Sequence, residues 1–153
     1  MVAAVGNDAI QTLLIEKEVS IGAPIEIAFE ALLEEIGPAN EVPNGGAMPM
    51  VIEPWPGGRW FRDLGNHSGH FWGHVQVIKP PTLLEISGPL FMSYPCMNHV
   101  QYRLAADGVG CKLKLLHRGV GDIAAEHRAG VDQGWGHKVG RVKQIAEARS
   151  KQK

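Results

Sequence analysis

The chain has 153 residues, 44% apolar and 20% charged, with a formal net charge of −1. That is the make-up of one globular domain able to bury a core without a disulfide or metal staple, and it offers no electrostatic basis for a nucleic-acid partner. No stretch approaches the ~18 apolar residues of a membrane span, and Cys96 and Cys111 are too few and too far apart for a zinc site, so they read as reduced thiols of a cytoplasmic protein.

Residues 1–11 read as a flexible N-terminus and 12–150 as a single domain. "TLLIEKEVSI" (12–21) alternates as a strand, with Leu14, Glu16 and Glu18 on one face and Leu13, Ile15, Val19 and Ile21 mostly on the other. A helix follows from Pro24: Ala28, Phe29, Leu32, Leu33 and Ile36 form its apolar stripe, and Gly37-Pro38 stops it. Residues 38–49 read as loop, with or without a second short helix. Strands are expected at 50–54, 58–64, 69–79, 82–88, 97–106 and 111–119, with Pro-Gly-Gly, Gly-Asn-His, Pro-Pro, Gly88-Pro89 and Asp107-Gly108 between them, which makes an antiparallel meander. From 122 to 150 the pattern is helical, with Asp122 as N-cap and a stripe of Val131, Trp135, Val139, Val142, Ile145 and Ala146. One sheet and one long amphipathic helix have to bury each other, and a twisted sheet curling around a helix leaves a hollow that suits a ligand.

Alternation assigns side chains to that hollow. Tyr102 points inward with Val100 and Leu104, and His117 points inward with Cys111, Leu113 and Leu115. His117 is either a hydrogen-bonded core residue or a polar handle and general base, with Tyr102 as proton donor. On 69–79 the inward face is given to Phe71, Gly73, Val75 and Val77, which turns Trp72, His70 and His74 outward unless a bulge reverses the strand. His70 and His74 then stand about 13 Å apart, too far for one metal ion, so none is expected. Gly134, Gly136 and Gly140 cost roughly 1 kcal/mol each in a helix. They mark close packing, a kink or room for a ligand. There is no G-x-S-x-G, H-E-x-x-H or phosphate-loop motif.

Charge is distributed unevenly. Residues 1–53 hold nine acids and one base, and the last seventeen hold six bases and one acid, a basic helix end that complements the helix dipole.

Five stretches, "APIEIAFEAL" (23–32), "PGGRWF" (56–61), "GHVQVIKPPTLLEIS" (73–87), "VQYRLAADGVGCKLKLLHRG" (100–119) and "GWGHKVGRV" (134–142), carry a resemblance. In this order the chain resembles the START-like, helix-grip superfamily (SRPBCC, the polyketide cyclase and Bet v 1 type), and within it the Hsp90-ATPase-activator-homologue-like branch. The resemblance implies an α+β helix-grip fold, a curved antiparallel sheet wrapped around a long C-terminal helix. It implies a carrier or sensor of a small hydrophobic or aromatic molecule. The alternatives are a cyclase- or hydrolase-type enzyme using His117 and Tyr102, or a chaperone-associated interaction module. The pocket residues expected are Phe29, Trp55, Trp60, Phe71, Tyr102, Leu113, Leu115, His117, Trp135 and Val139. No cofactor is expected, and no partner beyond the small molecule and an optional homodimer.

Overall fold

Alternation of apolar and polar residues builds the sheet. A computed structural model of the protein describes residues 9–152, so the expectation for the N-terminus falls, for 1–8, outside the described residues. In chain order the elements are β1 (Gln11–Ile21), α1 (Ile25–Ile36), β2 (Val51–Ile52), β3 (Arg59–Gly65), β4 (Ser68–Lys79), β5 (Leu83–Gly88), β6 (Cys96–Asp107), β7 (Gly110–Gly121) and α2 (Ala125–Lys151). The seven strands form one antiparallel sheet in the order β1-β7-β6-β5-β4-β3-β2. Its concave face closes on α1 and α2, which is the helix-grip arrangement. Among the described residues no helix is long and apolar enough to cross a membrane.

Local chemistry sets the turns. Asn66 and His67 both have positive φ, which joins β3 to β4 by a two-residue hairpin turn. In the 54–58 segment Gly57 takes φ 83°, and a Cβ on Gly58 would stand 1.9 Å from the Glu53 carbonyl oxygen. Only glycine permits that approach. It lets Gly57 N–H donate to Val75 and Val75 N–H donate to Gly58, docking the turn on β4. The 38–49 segment holds no helix. It folds back on itself through a bridge between Glu41 and Ala47. Asp122 does not cap α2; its backbone N–H donates to the Pro95 carbonyl, and the helix begins at Ala125 without a side-chain cap.

The stripe of α2 behaves as its spacing requires. Val131, Trp135, Val139, Val142 and Ala146 are buried, and Ile145 packs at the margin. The basic end of α2 does more than face a dipole: it pairs with the acidic first third of the chain. Arg149 meets Glu34, Lys138 lies 3.9 Å from Glu35, and Arg141 and His137 lie 3.3 and 3.0 Å from Glu41. The uneven charge of the sequence is therefore satisfied between α1, the loop after it, and α2.

One strand departs from the alternation. Trp60 pairs with Gly73 and Phe61 with Phe71, so Trp72 is an extra residue, a β-bulge. A second shift between Val75 and Val77 leaves Gln76 extra against β5. The first bulge turns Trp72 into the core and Phe71 out, where its side chain is 43% exposed. It also puts His70 on the concave side and leaves His74 on the convex one, against the ring of Phe71. The second bulge makes Ile78, rather than Val77, the residue packed against the core. The expected faces of Phe71, Trp72, His70 and Val77 are corrected by these two insertions.

Candidate functional site

At the centre of the grip, Trp135 of α2 reaches His117 of β7. The indole Nε1–H donates to His117 Nδ1 at 2.8 Å, so His117 carries its proton on Nε2 and donates it to Asn98 Oδ1 at 2.7 Å. The Asn98 amide donates in turn to the Pro89 carbonyl at 3.2 Å. His117 has no exposed surface, and burial holds its pKa at about 4, below the usual 6.5. Both ring nitrogens are engaged and the ring is neutral. That is the chemistry of a core residue rather than of a general base, and both of its partners are side chains. Asn98→Ala strands the His117 N–H inside the core; an expected loss of about 1–3 kcal/mol is checked by denaturant unfolding.

Between the sheet and the N-terminal half of α2 lies a half-open cavity of about 500 Å³. That lies within the range of about 300–1,000 Å³ usual for ligand pockets. Trp72 of β4, Phe91 and Trp135 form an aromatic wall, with Trp72 and Phe91 ring centroids 5.5 Å apart and Phe91 and Trp135 6.4 Å apart. Val131 and Met48 extend the apolar lining. Arg62 and His70, cross-strand neighbours on β3 and β4, stand on the strand side. Glu41, His137 and Lys138 stand on the loop and helix side, and Glu126 and His127 stand on the first turn of α2.

Gly130 and Gly134, four residues apart and so on one face of α2, line the cavity. A Cβ at either meets nothing within 4 Å among the described residues. Of the readings open for Gly134, close packing is therefore excluded, and its place on the cavity supports room. Gly140 is equally open but lies away from this cavity, and Gly136 faces the Lys17 side chain at 4.0 Å.

Of the ten pocket residues expected from sequence, Trp135 lines this cavity. Phe29, Tyr102, Leu113, Leu115, His117 and Val139 point inward but fill the core beside it. Trp60 is also core: its ring meets Trp72 edge-on at 4.9 Å, and its indole N–H donates to the Ile36 carbonyl at 2.7 Å, satisfying the end of α1. Trp55 is 55% exposed and Phe71 faces outward, and neither lines this cavity. Tyr102 and His117 do not reach the cavity, which removes them as its acid–base pair. Sequence reasoning missed Trp72 and His70 because the bulge reverses their faces on β4, and it passed over Arg62, two residues from the inward-facing Trp60 on β3, because a charged residue reads as solvent-facing. It missed Phe91 because that residue lies in an irregular segment with no period to read.

A buried charge cluster adjoins the cavity. Glu35, on the last turn of α1, has no exposed surface, and its two oxygens make no hydrogen bond among the described residues; nor does the Tyr102 hydroxyl. Burial raises the Glu35 pKa to about 7, against the opposing pull of Lys138 and Arg141. Burial, with Glu35 nearby, also pushes the Tyr102 hydroxyl well above its usual value. Lys138 donates to Asn40 Oδ1, and its own pKa is lowered by burial.

No family model and no curated protein matches the chain. Solved structures do match in fold. An uncharacterised protein from Rhizobium leguminosarum superposes with a TM-score of 0.70 at 17% identity, over 92% of this chain and 97% of that one. A Staphylococcus aureus protein of unknown function superposes with a TM-score of 0.69 at 11% identity, over 95% and 99%. The di-domain ARO/CYC protein StfQ of the steffimycin biosynthetic pathway gives 0.63 at 13% identity, over 92% of this chain and 52% of its own, so this chain spans about half of StfQ. The fold is thereby established as helix-grip.

Proposed function

We propose that the protein binds a small hydrophobic or aromatic molecule in the cavity between β3, β4 and the N-terminal half of α2, as a carrier or sensor. The observation that carries this reading is the pair of cavity-facing glycines in a helix that a bulkier residue would stabilise. Space retained at a cost to helix stability is explained by an occupant. The aromatic wall supplies the means: a ligand burying about 200 Å² of apolar surface gains about 5 kcal/mol before its ordering costs. The fold shared with StfQ, an ARO/CYC protein of a biosynthetic pathway, is consistent with a hydrophobic-ligand-binding domain. Within the superfamily we place the chain nearest the Hsp90-ATPase-activator-homologue-like branch, on the five motifs above.

Titration with the uncharged fluorophore phenylnaphthylamine tests the reading. Uptake at one site per chain is expected, with enhanced probe emission and quenching of tryptophan fluorescence through Trp72 and Trp135. An emission unchanged at saturating probe contradicts it.

A further inference from the structure

The polar groups of the cavity divide into those the protein satisfies and those it leaves open. Glu41 takes His137 at 3.0 Å and Arg141 at 3.3 Å. Lys138 is held by Asn40, with Glu35 3.9 Å away. His127 Nδ1 is 3.0 Å from the Tyr94 hydroxyl. Arg62 is different. It is half-buried, lines the cavity, and has no acceptor among the described residues. Its cross-strand partner His70, brought to the same face by the Trp72 bulge, also lines the cavity and has no partner there. Directly opposed side chains on adjacent strands stand about 5 Å apart at Cβ, close enough to share one ligand group.

We infer that Arg62 and His70 form an anion subsite, which takes the carboxylate- or sulfonate-type head of a ligand whose apolar body lies on Trp72, Phe91 and Trp135. This rests on the cavity being a ligand site and adds the class of ligand: an aromatic monoanion. The guanidinium presents a planar fork of five N–H donors that matches a multi-oxygen anion in paired hydrogen bonds, and the apolar wall beside it strengthens the interaction by excluding water. Glu126, at the first turn of α2 and without a partner among the described residues, lies at the same cavity. It disfavours a second negative charge there and so sets the polarity of the ligand, head toward β3–β4 and body toward the helix.

Two probes with one aromatic body separate the contributions: anilinonaphthalene sulfonate, which is anionic, and phenylnaphthylamine, which is not. Wild-type protein is expected to bind the sulfonate more tightly. Arg62→Gln lowers sulfonate affinity about tenfold and leaves phenylnaphthylamine unchanged, which also shows that the variant is folded. Arg62→Lys falls between, His70→Gln gives a smaller loss, and Glu126→Gln leaves sulfonate affinity equal or higher. If Arg62→Gln weakens both probes equally or neither, the anion subsite is wrong while the cavity stands. If Glu126→Gln weakens the sulfonate as Arg62→Gln does, Arg62 serves a pairing with Glu126, and the subsite is again wrong. If wild-type protein takes up neither probe, or a bulky residue at Gly134 displaces neither, the cavity reading itself fails.

Discussion

Gly134→Phe is expected to weaken phenylnaphthylamine binding at least tenfold while the domain melts at or above the wild-type temperature. Most substitutions that abolish a binding site damage the fold as well, so this pairing is unusual. It follows from two facts about one position. Gly134 borders the cavity, and among the described residues nothing lies within 4 Å of a Cβ placed on it. A side chain there meets empty space, occupies the volume a ligand needs, and removes the conformational penalty of a helical glycine. Gly134→Ala and Gly130→Ala isolate the second effect: each is expected to stabilise by about 0.5–1 kcal/mol. Gly140→Ala is the control, because it shares the open surroundings and lies outside the cavity. It gains the same stability and leaves probe affinity unchanged. Fluorescence titration and thermal melts on the four variants check the set. A Gly134→Phe protein that binds the probe normally removes the explanation offered here for the glycines.

Glu35→Gln is expected to change the pH profile of stability rather than merely its height. Burial raises Glu35 from 4.5 to about 7, so the folded state prefers the neutral acid. The cost of ionising it sets in as pH rises past 4.5 and is complete above 7. His117 runs the other way: its pKa falls from 6.5 to about 4, so it contributes stability in full above 6.5 that is lost as pH falls toward 4. Each displacement corresponds to about 3 kcal/mol. Between pH 4.5 and 6.5 the two slopes oppose one another, since the unfolded chain holds both groups charged and the folded chain holds both neutral. The difference curve, variant minus wild type, isolates Glu35 from the carboxylates and histidines common to both proteins. It is expected to be near zero at pH 4.5, to rise through pH 7 and to level off at about 3 kcal/mol in favour of the variant. Lys138, Arg141, Glu41 and Tyr102 face this carboxyl. Lys138 keeps Asn40 as its acceptor in the variant. Urea unfolding at several pH values measures the curve, and parallel profiles for the two proteins contradict the buried, neutral Glu35.

The fold was legible because its signals are periodic. Val100, Tyr102 and Leu104 mark the inward face of β6; Leu113, Leu115 and His117 mark that of β7; and the stripe through Trp135 and Val139 marks the face of α2. Each of these residues is buried as its period demands. Periodicity says which way a side chain points and is silent on whether another side chain already fills the space in front of it. Tyr102, Leu113 and His117 point inward where α1 and the α2 stripe occupy the hollow, so they became core. The hollow stays open further along, at β3 and β4. There a single inserted residue, Trp72, exchanges the faces of Phe71 and His70. Gly73 next to Trp72 hinted at such a bulge without fixing its position. Trp135 and the glycines of α2 were the signals of the site readable in advance, and the meaning of the glycines required knowing what stood opposite them.

The central claim is that an apolar molecule lies against the glycine face of α2, inside the grip. Intermolecular nuclear Overhauser contacts from bound phenylnaphthylamine, mapped by NMR, test it most directly. Contacts to Trp72, Phe91, Val131 and Trp135 are the predicted result. Contacts confined to the outward-facing Trp55 and Phe71, with none to Trp135, contradict it.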